Sequence, residues 1–306
     1  MLNFRQIELS DKNEIEDCLA SNTYRACDFS FTNMWAWAVK FKTVFAIKQR
    51  TLFLRFSETD GRIYYMLPLG KMPLPTSISE IMEDAGRQNK PFLMKGVTPR
   101  MKDAIEEAMP GLFDFAPDRN NDEYLYLSEK LIRLTGKKLQ SKRNHINRFK
   151  KEHPDWQYEP VATHEEAMAC LRMLKEWETL KSSPDGDRSL EYDYIATKLM
   201  LQNLEYLNLK AGAIRVNGKL VAFSVGERLT DDTFVVHVEK AFGEINGAYT
   251  IINQQFIEHE AAAFTYINRE EDMGLEALRK AKLSYCPDIL LQEYIAKPKK
   301  QAEDKP

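Results

Sequence analysis

The feature that most limits the fold of this chain is the dipeptide Asn217-Gly218, which stands between two short apolar segments. Asn-Gly readily supplies the two positive φ angles that a two-residue β-hairpin turn needs. The flanking segments, 213–216 and 219–223, therefore predict an antiparallel hairpin. A third strand is predicted for 233–240, after a polar turn, and this strand completes a three-strand meander.

A strand, helix, strand unit follows the meander. Gly247 opens a predicted helix over 249–261, and 264–269 has the composition of a strand. Such a crossover almost always joins parallel strands, and ligands of open α/β sheets bind at the carboxyl ends of those strands. The two predicted strands deliver acids, bases and an amide to this edge, namely His237, Glu239, Lys240, Asn268, Arg269, Glu270, Glu271 and Asp272. The N–H groups of the helix start can receive a phosphate there, although Gly247 also fits a glycine that only starts a helix.

Composition indicates a soluble globular protein with room for two domains. The chain has 306 residues, of which 43% are hydrophobic and 29% charged, and its formal net charge is −3. It contains neither a long apolar run nor a secretory signal, so we expect a cytoplasmic protein without integral membrane association. The four cysteines lack paired spacing, so we expect neither a metal site nor a disulfide framework.

The first half of the chain repeats the order of elements seen in the second half. Strands are predicted at 42–48, 51–56, 62–67, 91–96 and 123–127, with helices at 77–88 and 99–109. Helical segments precede each predicted meander. We therefore predict a mixed α/β fold with an N-terminal domain at 1–128, a basic linker helix at 129–152 and a C-terminal domain at 153–306. The polar loop 181–188 is a candidate lid, and 297–306 is expected to be disordered.

A basic segment lies between the two predicted domains. Residues 137–151 contain no acid, one histidine and seven cations, which are Lys137, Lys138, Lys142, Arg143, Arg148, Lys150 and Lys151. The apolar residues Leu139, Ile146 and Phe149 give this helix one face that can pack. The segment is either a solvated helix or a contact surface for phosphate or an RNA backbone.

Several motifs resemble known proteins. The order of a three-strand meander followed by strand, helix, strand, helix, strand resembles the GNAT acyltransferase fold. Five segments resemble, at the residue level, a bacterial family named for the C-terminal catalytic domain of phosphatidylglycerol lysyltransferase. These segments are 28–37, 237–240, 247–249, 267–274 and 278–287, and the likeness covers nearly the whole chain. The resemblance implies two tandem GNAT-like domains and an acyl or aminoacyl transfer reaction.

The resemblance also implies a donor site in the loop 241–249. GNAT enzymes place the pyrophosphate of acyl-coenzyme A on a glycine-rich helix start and its pantetheine arm between two splayed parallel strands. The residues predicted to contact the donor in this loop are Gly243, Asn246, Gly247, Ala248 and Tyr249. Glu244 stands where the GNAT pattern has a basic or amide residue. Coenzyme A is the cofactor that we predict, and aminoacyl-tRNA, contacted through Lys137, Lys138, Lys142, Arg143 and Arg148, is the other donor.

Four side chains are candidates for catalysis. Glu239 and His237 share one face of their predicted strand, and Glu239 is favoured as the general base because burial at a strand end can raise the pKa of a carboxyl group. Glu239 can instead form an ion pair, and His237 can be a satisfied polar residue. Asp272 has the position of a helix N-cap, and the resemblance implies that it can anchor an amino group. The resemblance implies that Tyr285 can act as the general acid, as a tyrosine near this position often does in GNAT enzymes; alternatively, Tyr285 simply packs.

Three cations are predicted to contact an anionic donor, namely Arg269, Arg279 and Lys282. The last two are three residues apart and share nearby faces of a helix. The sequence thus predicts a transferase that moves an acyl or aminoacyl group to an amine or hydroxyl, with a non-catalytic GNAT-like binding module as the alternative. The residues of the first half lack a comparable set of acids and bases, so we expect that half to shape the acceptor cleft.

Overall fold

The structure of the protein is a computed structural model that describes residues 1–58, 60–181 and 189–299. The predicted lid loop lies outside the described residues, except for Lys181 at a helix end, and so do residues 300–306 of the predicted disordered tail. Residues 297–298 belong to a strand instead, because they pair with neighbouring strands in a sheet.

The β-strands of the chain are β1 Arg5–Gln6, β2 Val44–Lys48, β3 Thr51–Ser57, β4 Ile63–Tyr65, β5 Leu69–Gly70, β6 Met94–Val97, β7 Phe113–Pro117, β8 Glu123–Leu127, β9 Gln157–Pro160, β10 Lys210–Val216, β11 Lys219–Arg228, β12 Thr233–Ala241, β13 Tyr266–Glu271, β14 Ile289–Leu291 and β15 Tyr294–Pro298. The α-helices are α1 Lys12–Leu19, α2 Phe31–Ala36, α3 Ala38–Phe41, α4 Leu74–Arg87, α5 Pro99–Ala108, α6 Ser128–Arg133, α7 Gln140–Glu152, α8 His164–Lys181, α9 Ser189–Gln202, α10 Leu204–Leu207, α11 Ala248–Phe256 and α12 Glu276–Leu283.

The chain divides into two compact units. The described residues of the first unit lie within 1–123 and 291–299, and those of the second unit lie within 124–290. The boundaries predicted from the sequence differ from these in two places. The basic helix α7 belongs to the second unit, where it packs against α11, and the strand near the C-terminus belongs to the first unit. Apolar residues on one face of α7 explain its place, since Ile146 and Phe149 are buried.

The sheet of the first unit has the strand order β1-β2-β3-β4-β6-β15-β7, with β5 paired to β3. The predicted meander is present as the antiparallel strands β2, β3 and β4. Strand β6 then runs parallel to β4. Strand β15 lies between β6 and β7 and is antiparallel to both.

The sheet of the second unit has the order β14-β8-β13-β12-β11-β10-β9. The hairpin predicted at Asn217 is confirmed, because β10 and β11 are antiparallel around it and Asn217 has a φ of 49°. Strand β12 is antiparallel to β11 and parallel to β13, with α11 as the crossover helix. Large apolar side chains from this layer, among them Phe223, Phe234 and Phe256, are almost fully buried. This core holds the ends of β12 and β13 in place.

Candidate active site

A β-bulge in β12 shapes the candidate site. Val238 lies opposite Val225 and Val236 lies opposite Gly226, so that His237 is the extra residue on β12. The parallel pairing of β12 with β13 covers residues 233–235 of β12 and precedes the bulge. A bulge bends its strand and increases the local twist, and β12 makes no ladder pair with β13 beyond Val235, which leaves a gap in the pairing of the two strands. Side chains from both strands then meet across the gap.

Glu239 and Arg269 form an ion pair across this gap. Arg269 Nη2 donates to Glu239 Oε1 over 2.9 Å, and Asn253 Nδ2 donates to Glu239 Oε2 over 2.9 Å. The side chains of Glu239 and Arg269 are 13% and 12% exposed. The carboxylate that we predicted as a general base is therefore oriented by a guanidinium from β13 and an amide from α11.

Aromatic rings and a second cation surround this ion pair. The guanidinium carbon of Arg269 lies 4.8 Å from the ring centroid of Tyr285 and 5.8 Å from that of Tyr126. Lys142 Nζ, from α7, lies 4.0 Å from the Tyr285 centroid. A cation at this distance from the face of an aromatic ring is attracted by the negative charge of that face. Two predicted site residues, Arg269 and Tyr285, are thus brought together with a residue of the basic segment.

Burial changes the acid–base properties of this cluster. It raises the pKa of Tyr285 to about 12 despite the opposing charge of Arg269. It also lowers the pKa of Lys142, and the positive charge of Arg269 lowers that pKa further. The Tyr285 phenol is therefore protonated at neutral pH and can donate a proton or a hydrogen bond.

His237 is held between two carboxylates. Its Nδ1 lies 2.7 Å from Glu270 Oε1, its Nε2 lies 2.9 Å from Glu227 Oε1, and its side chain is 1% exposed. Burial opposes a charge on the ring, but the bonds to Glu227 and Glu270 outweigh it and raise the pKa of His237 to about 10. Both ring nitrogens are engaged, so His237 joins β11, β12 and the end of β13 and has no free nitrogen for an acceptor.

Asp272 lies at the end of β13 and is fully buried. Burial by itself raises the pKa of its carboxyl group, but bonds from Arg279, Tyr124 and the Gly274 N–H outweigh this and lower the pKa to about 2. The predicted N-cap role is wrong, because α12 begins at Glu276 and its N-cap residue is Leu275. Asp272 instead accepts from Gly274 N over 2.9 Å, in the turn that precedes the helix.

The two cations of α12 that were predicted to contact the donor, Arg279 and Lys282, both contact the protein itself. Arg279 Nε and Nη2 donate to the two oxygens of Asp272, each over 2.8 Å. Lys282 Nζ donates to the carbonyl oxygens of Arg269 and Glu271, and only 7% of Lys282 is exposed. The two side chains therefore do not converge on one open anion position, and Lys282 fixes the backbone on which Arg269 is carried.

The predicted donor loop lies under helix α7. Gly247 has a φ of 86°, and a Cβ atom there would lie 2.6 Å from the carbonyl oxygen of His145 and 3.0 Å from Phe149 Cβ. Asn246 Oδ1 lies 2.9 Å from His145 Nδ1. Gly247 is therefore a point of close helix packing, and whether this loop also binds a donor phosphate stays a prediction.

The remaining residues of the loop differ in exposure and partners. Gly243 is exposed, and no atom lies within 4 Å of the Cβ that it lacks. Ala248 is buried at the start of α11. Tyr249 Oη accepts from Trp177 Nε1 over 3.1 Å.

Part of the basic segment is engaged within the second unit. Arg143 donates to the carbonyl oxygens of Leu134 and Gly136, and Arg148 pairs with Glu152 over 2.7 Å. Lys142 is half-buried, and its Nζ lies over the Tyr285 ring. Lys137 and Lys138, which belong to the short 3₁₀ turn before α7, are exposed. The surface that can meet a polyanion is therefore smaller than the sequence suggested.

Sequence reasoning missed two contributors to the site. Asn253 is 2% exposed, but it is the first of three consecutive amide residues in α11, and that run gives no signal that singles out Asn253 as the partner of Glu239. Lys142 was assigned to the basic surface, since nothing in its local sequence distinguishes it from the other lysines of α7. In the described ranges, no group of three or more His, Cys, Asp or Glu side chains is placed to hold a metal ion. No helix there has the length and apolar character needed to span a bilayer.

Comparisons with known proteins show the family and the fold of this chain. A family model described as phosphatidylglycerol lysyltransferase, C-terminal, matches residues 21–297. The structure of L-PGS from Bacillus licheniformis has a TM-score of 0.64 at 16% identity, and the match covers 96% of this chain and 93% of that chain. The C-terminal domain of a putative lysylphosphatidylglycerol synthetase from Agrobacterium fabrum also has a TM-score of 0.64, at 12% identity over 95% of this chain and 92% of that chain. These structures share the fold, and the GNAT-like mixed α/β class predicted from the sequence is confirmed.

Two further relatives have no stated function. A conserved protein from Bacteroides thetaiotaomicron is 39% identical, with a TM-score of 0.89, and covers 98% of this chain and 100% of that chain. An uncharacterized protein from Mycoplasmoides gallisepticum is 26% identical over 182 residues, which is 58% of this chain. The match spans 56% of the length of that curated relative.

Proposed function

Because the chain belongs to the family of phosphatidylglycerol lysyltransferase C-terminal domains, we propose that it transfers an acyl or aminoacyl group from an activated donor to an amine or hydroxyl acceptor. The observation that carries this proposal is the gap where β12 separates from β13, with the Glu239–Arg269 ion pair across it and Tyr285 beside it. A carboxylate, a guanidinium and a protonated phenol in one partly buried cluster are suited to acyl transfer.

The acceptor attacks the carbonyl carbon of the donor directly, without a covalent intermediate on the enzyme. The acceptor nitrogen or oxygen forms a bond to that carbon and loses a proton to Glu239, whose oxygens have lone pairs beyond the two already used. The carbonyl oxygen becomes negative in the tetrahedral intermediate, and the positive charge of Arg269 stabilises it. The bond from carbon to the leaving group then breaks, and Tyr285 supplies the proton that the leaving oxygen or sulfur needs.

An aminoacyl-tRNA ester is the donor that we favour. The family name supports this choice, and so do the exposed lysines before α7. The close packing of His145 and Phe149 on Gly247 leaves little room for a pyrophosphate at that point of the helix start. Coenzyme A stays a prediction, and calorimetric titration of the protein with coenzyme A tests it directly.

A transfer assay tests the proposed function. Purified protein is incubated with aminoacyl-tRNA that carries labelled amino acids and with candidate amine and hydroxyl acceptors, and label that leaves the tRNA for an acceptor is counted. Glu239→Gln should lower transfer by about 100-fold or more, because it removes the proton acceptor. The matched control is Glu205→Gln, since Glu205 is exposed on α10 and should leave transfer unchanged. Equal activity of the two variants would contradict the role of Glu239.

A non-catalytic binding module is the second candidate, and one observation favours it. Both oxygens of Glu239 already accept hydrogen bonds, and His237 is fully paired, so the polar side chains of the gap largely satisfy each other. A protein that binds charged tRNA or coenzyme A without turnover, in wild type and in Glu239→Gln alike, would establish this alternative.

A further inference from the structure

One nitrogen of the Arg269 guanidinium has no partner in the part of the chain that the structure describes. Nη1 is buried and makes no hydrogen bond, whereas Nη2 donates to Glu239. A buried donor that is attached to a charged group is costly to leave unsatisfied. The position of Nη1 therefore indicates a place where an acceptor atom from outside the chain completes the site.

The ammonium group of Lys142 is in a similar state. It lies over the Tyr285 ring on the same cluster, and among residues 1–58, 60–181 and 189–299 it makes neither a hydrogen bond nor an ion pair. Glu239 is the carboxylate next to these two cations, and its two oxygens are held by Arg269 and Asn253. Two positive charges thus share one negative charge, and the cluster keeps a net charge of about +1 in a partly buried setting.

We propose that Arg269 and Lys142 bind an oxyanion of a substrate, with Nη1 and Nζ as the donors. This inference rests on the proposed function for its biological meaning, but the binding itself requires no turnover. The guanidinium offers a planar set of donors that matches phosphate or carboxylate, and the lysine adds a point charge. The rings of Tyr126 and Tyr285 limit access of water to the guanidinium and so strengthen the attraction.

The oxyanion has two possible sources. It is a phosphate of the donor or acceptor, or it is a carboxylate carried by the transferred group. Either source has the same consequence for specificity, because a cationic side chain on the transferred group would meet Arg269 and Lys142 and be repelled. The site therefore favours a neutral or acidic group over a lysyl group at this position.

Calorimetric titration with inorganic phosphate and, separately, with acetate tests the proposal at constant ionic strength. Wild-type protein should bind at least one of them with a dissociation constant on the order of 1 mM. Lys142→Gln should weaken that binding by about tenfold, the effect of losing one charge-assisted hydrogen bond. Lys151→Gln, the same charge change at an exposed position of the same helix, should change it by less than about twofold.

A third variant acts in the opposite direction. Glu239→Gln removes the negative charge beside Arg269, so it should tighten oxyanion binding if the variant keeps the wild-type circular dichroism spectrum. Tighter phosphate than acetate binding identifies phosphate as the source, and the reverse order identifies a carboxylate.

If the wild-type protein binds neither anion, or if Lys142→Gln and Lys151→Gln weaken binding equally, the proposed oxyanion site is wrong. Transfer activity without oxyanion binding would refute this inference alone, whereas binding without transfer would refute the proposed function alone.

Discussion

The packing of Gly247 under helix α7 makes the sharpest stability prediction. Gly247 has a φ of 86°, which an alanine adopts at a cost of about 1–2 kcal/mol. An alanine Cβ would also lie 2.6 Å from the His145 carbonyl oxygen and 3.0 Å from Phe149 Cβ. Since the first of these neighbours is backbone, α7 must move away, and overpacking of this kind costs about 1–3 kcal/mol. Gly247→Ala should therefore lower the free energy of unfolding by about 2–5 kcal/mol.

The assay is urea unfolding, followed by circular dichroism and tryptophan fluorescence. The matched control is Gly243→Ala in the same loop, where no atom lies within 4 Å of the added Cβ and no positive φ is required. Its free energy of unfolding should stay within about 0.5 kcal/mol of the wild-type value. A Gly247→Ala protein as stable as the Gly243→Ala protein would refute the packing argument, and Gly247 would then be better explained as a glycine that a ligand approaches.

Three further predictions concern buried charges. Asp272 has a pKa of about 2 against an ordinary 3.8, so its stabilising effect is present above about pH 4 and is lost as the pH falls toward 2. Asp272→Asn should therefore lower the free energy of unfolding by about 2 kcal/mol at pH 7. It should also flatten the acid side of a plot of the urea unfolding midpoint against pH. Tyr124→Phe removes a hydrogen bond to the same carboxylate and should cost about 1–2 kcal/mol at pH 7, measured by the same unfolding experiment. The pKa of His237 is raised from 6.5 to about 10, so its contribution to stability is complete below pH 6.5 and is lost as the pH rises through 10. Ring ¹⁵N NMR spectra should show both nitrogens protonated at pH 8. A neutral ring at that pH would contradict the pairing of His237 with two carboxylates.

Local patterns predicted the second unit well. The hairpin at Asn217, the strands on either side of it and the helix that starts beside Gly247 depend on turn geometry and on the spacing of apolar residues over a few positions. The meeting of His237, Glu239 and Arg269 at one edge followed from the parallel crossover rule. The N-cap predicted at Asp272 is wrong because α12 begins about one turn later, at Glu276, and the Asp272 carboxylate instead pairs with Arg279.

The partners of individual strands were beyond the reach of local patterns. Strand β8 was predicted correctly as a strand, yet it lies in the second sheet beside β13, and β15 lies in the first sheet between β6 and β7. A strand pattern identifies which residues are extended and which face is apolar. It carries no information about which other strand, more than a hundred residues away in the chain, will pair with it through backbone hydrogen bonds.

The sequence by itself determined the order of elements, the family to which the chain belongs and the acids and bases at the carboxyl ends of β12 and β13. Tertiary structure decided how those groups work. It placed His237 between Glu227 and Glu270, covered Gly247 with α7 and turned Lys142 toward Tyr285. The physical reason is that charge state and accessibility depend on burial and on partners distant in the chain, whereas turns and strands depend on neighbouring residues.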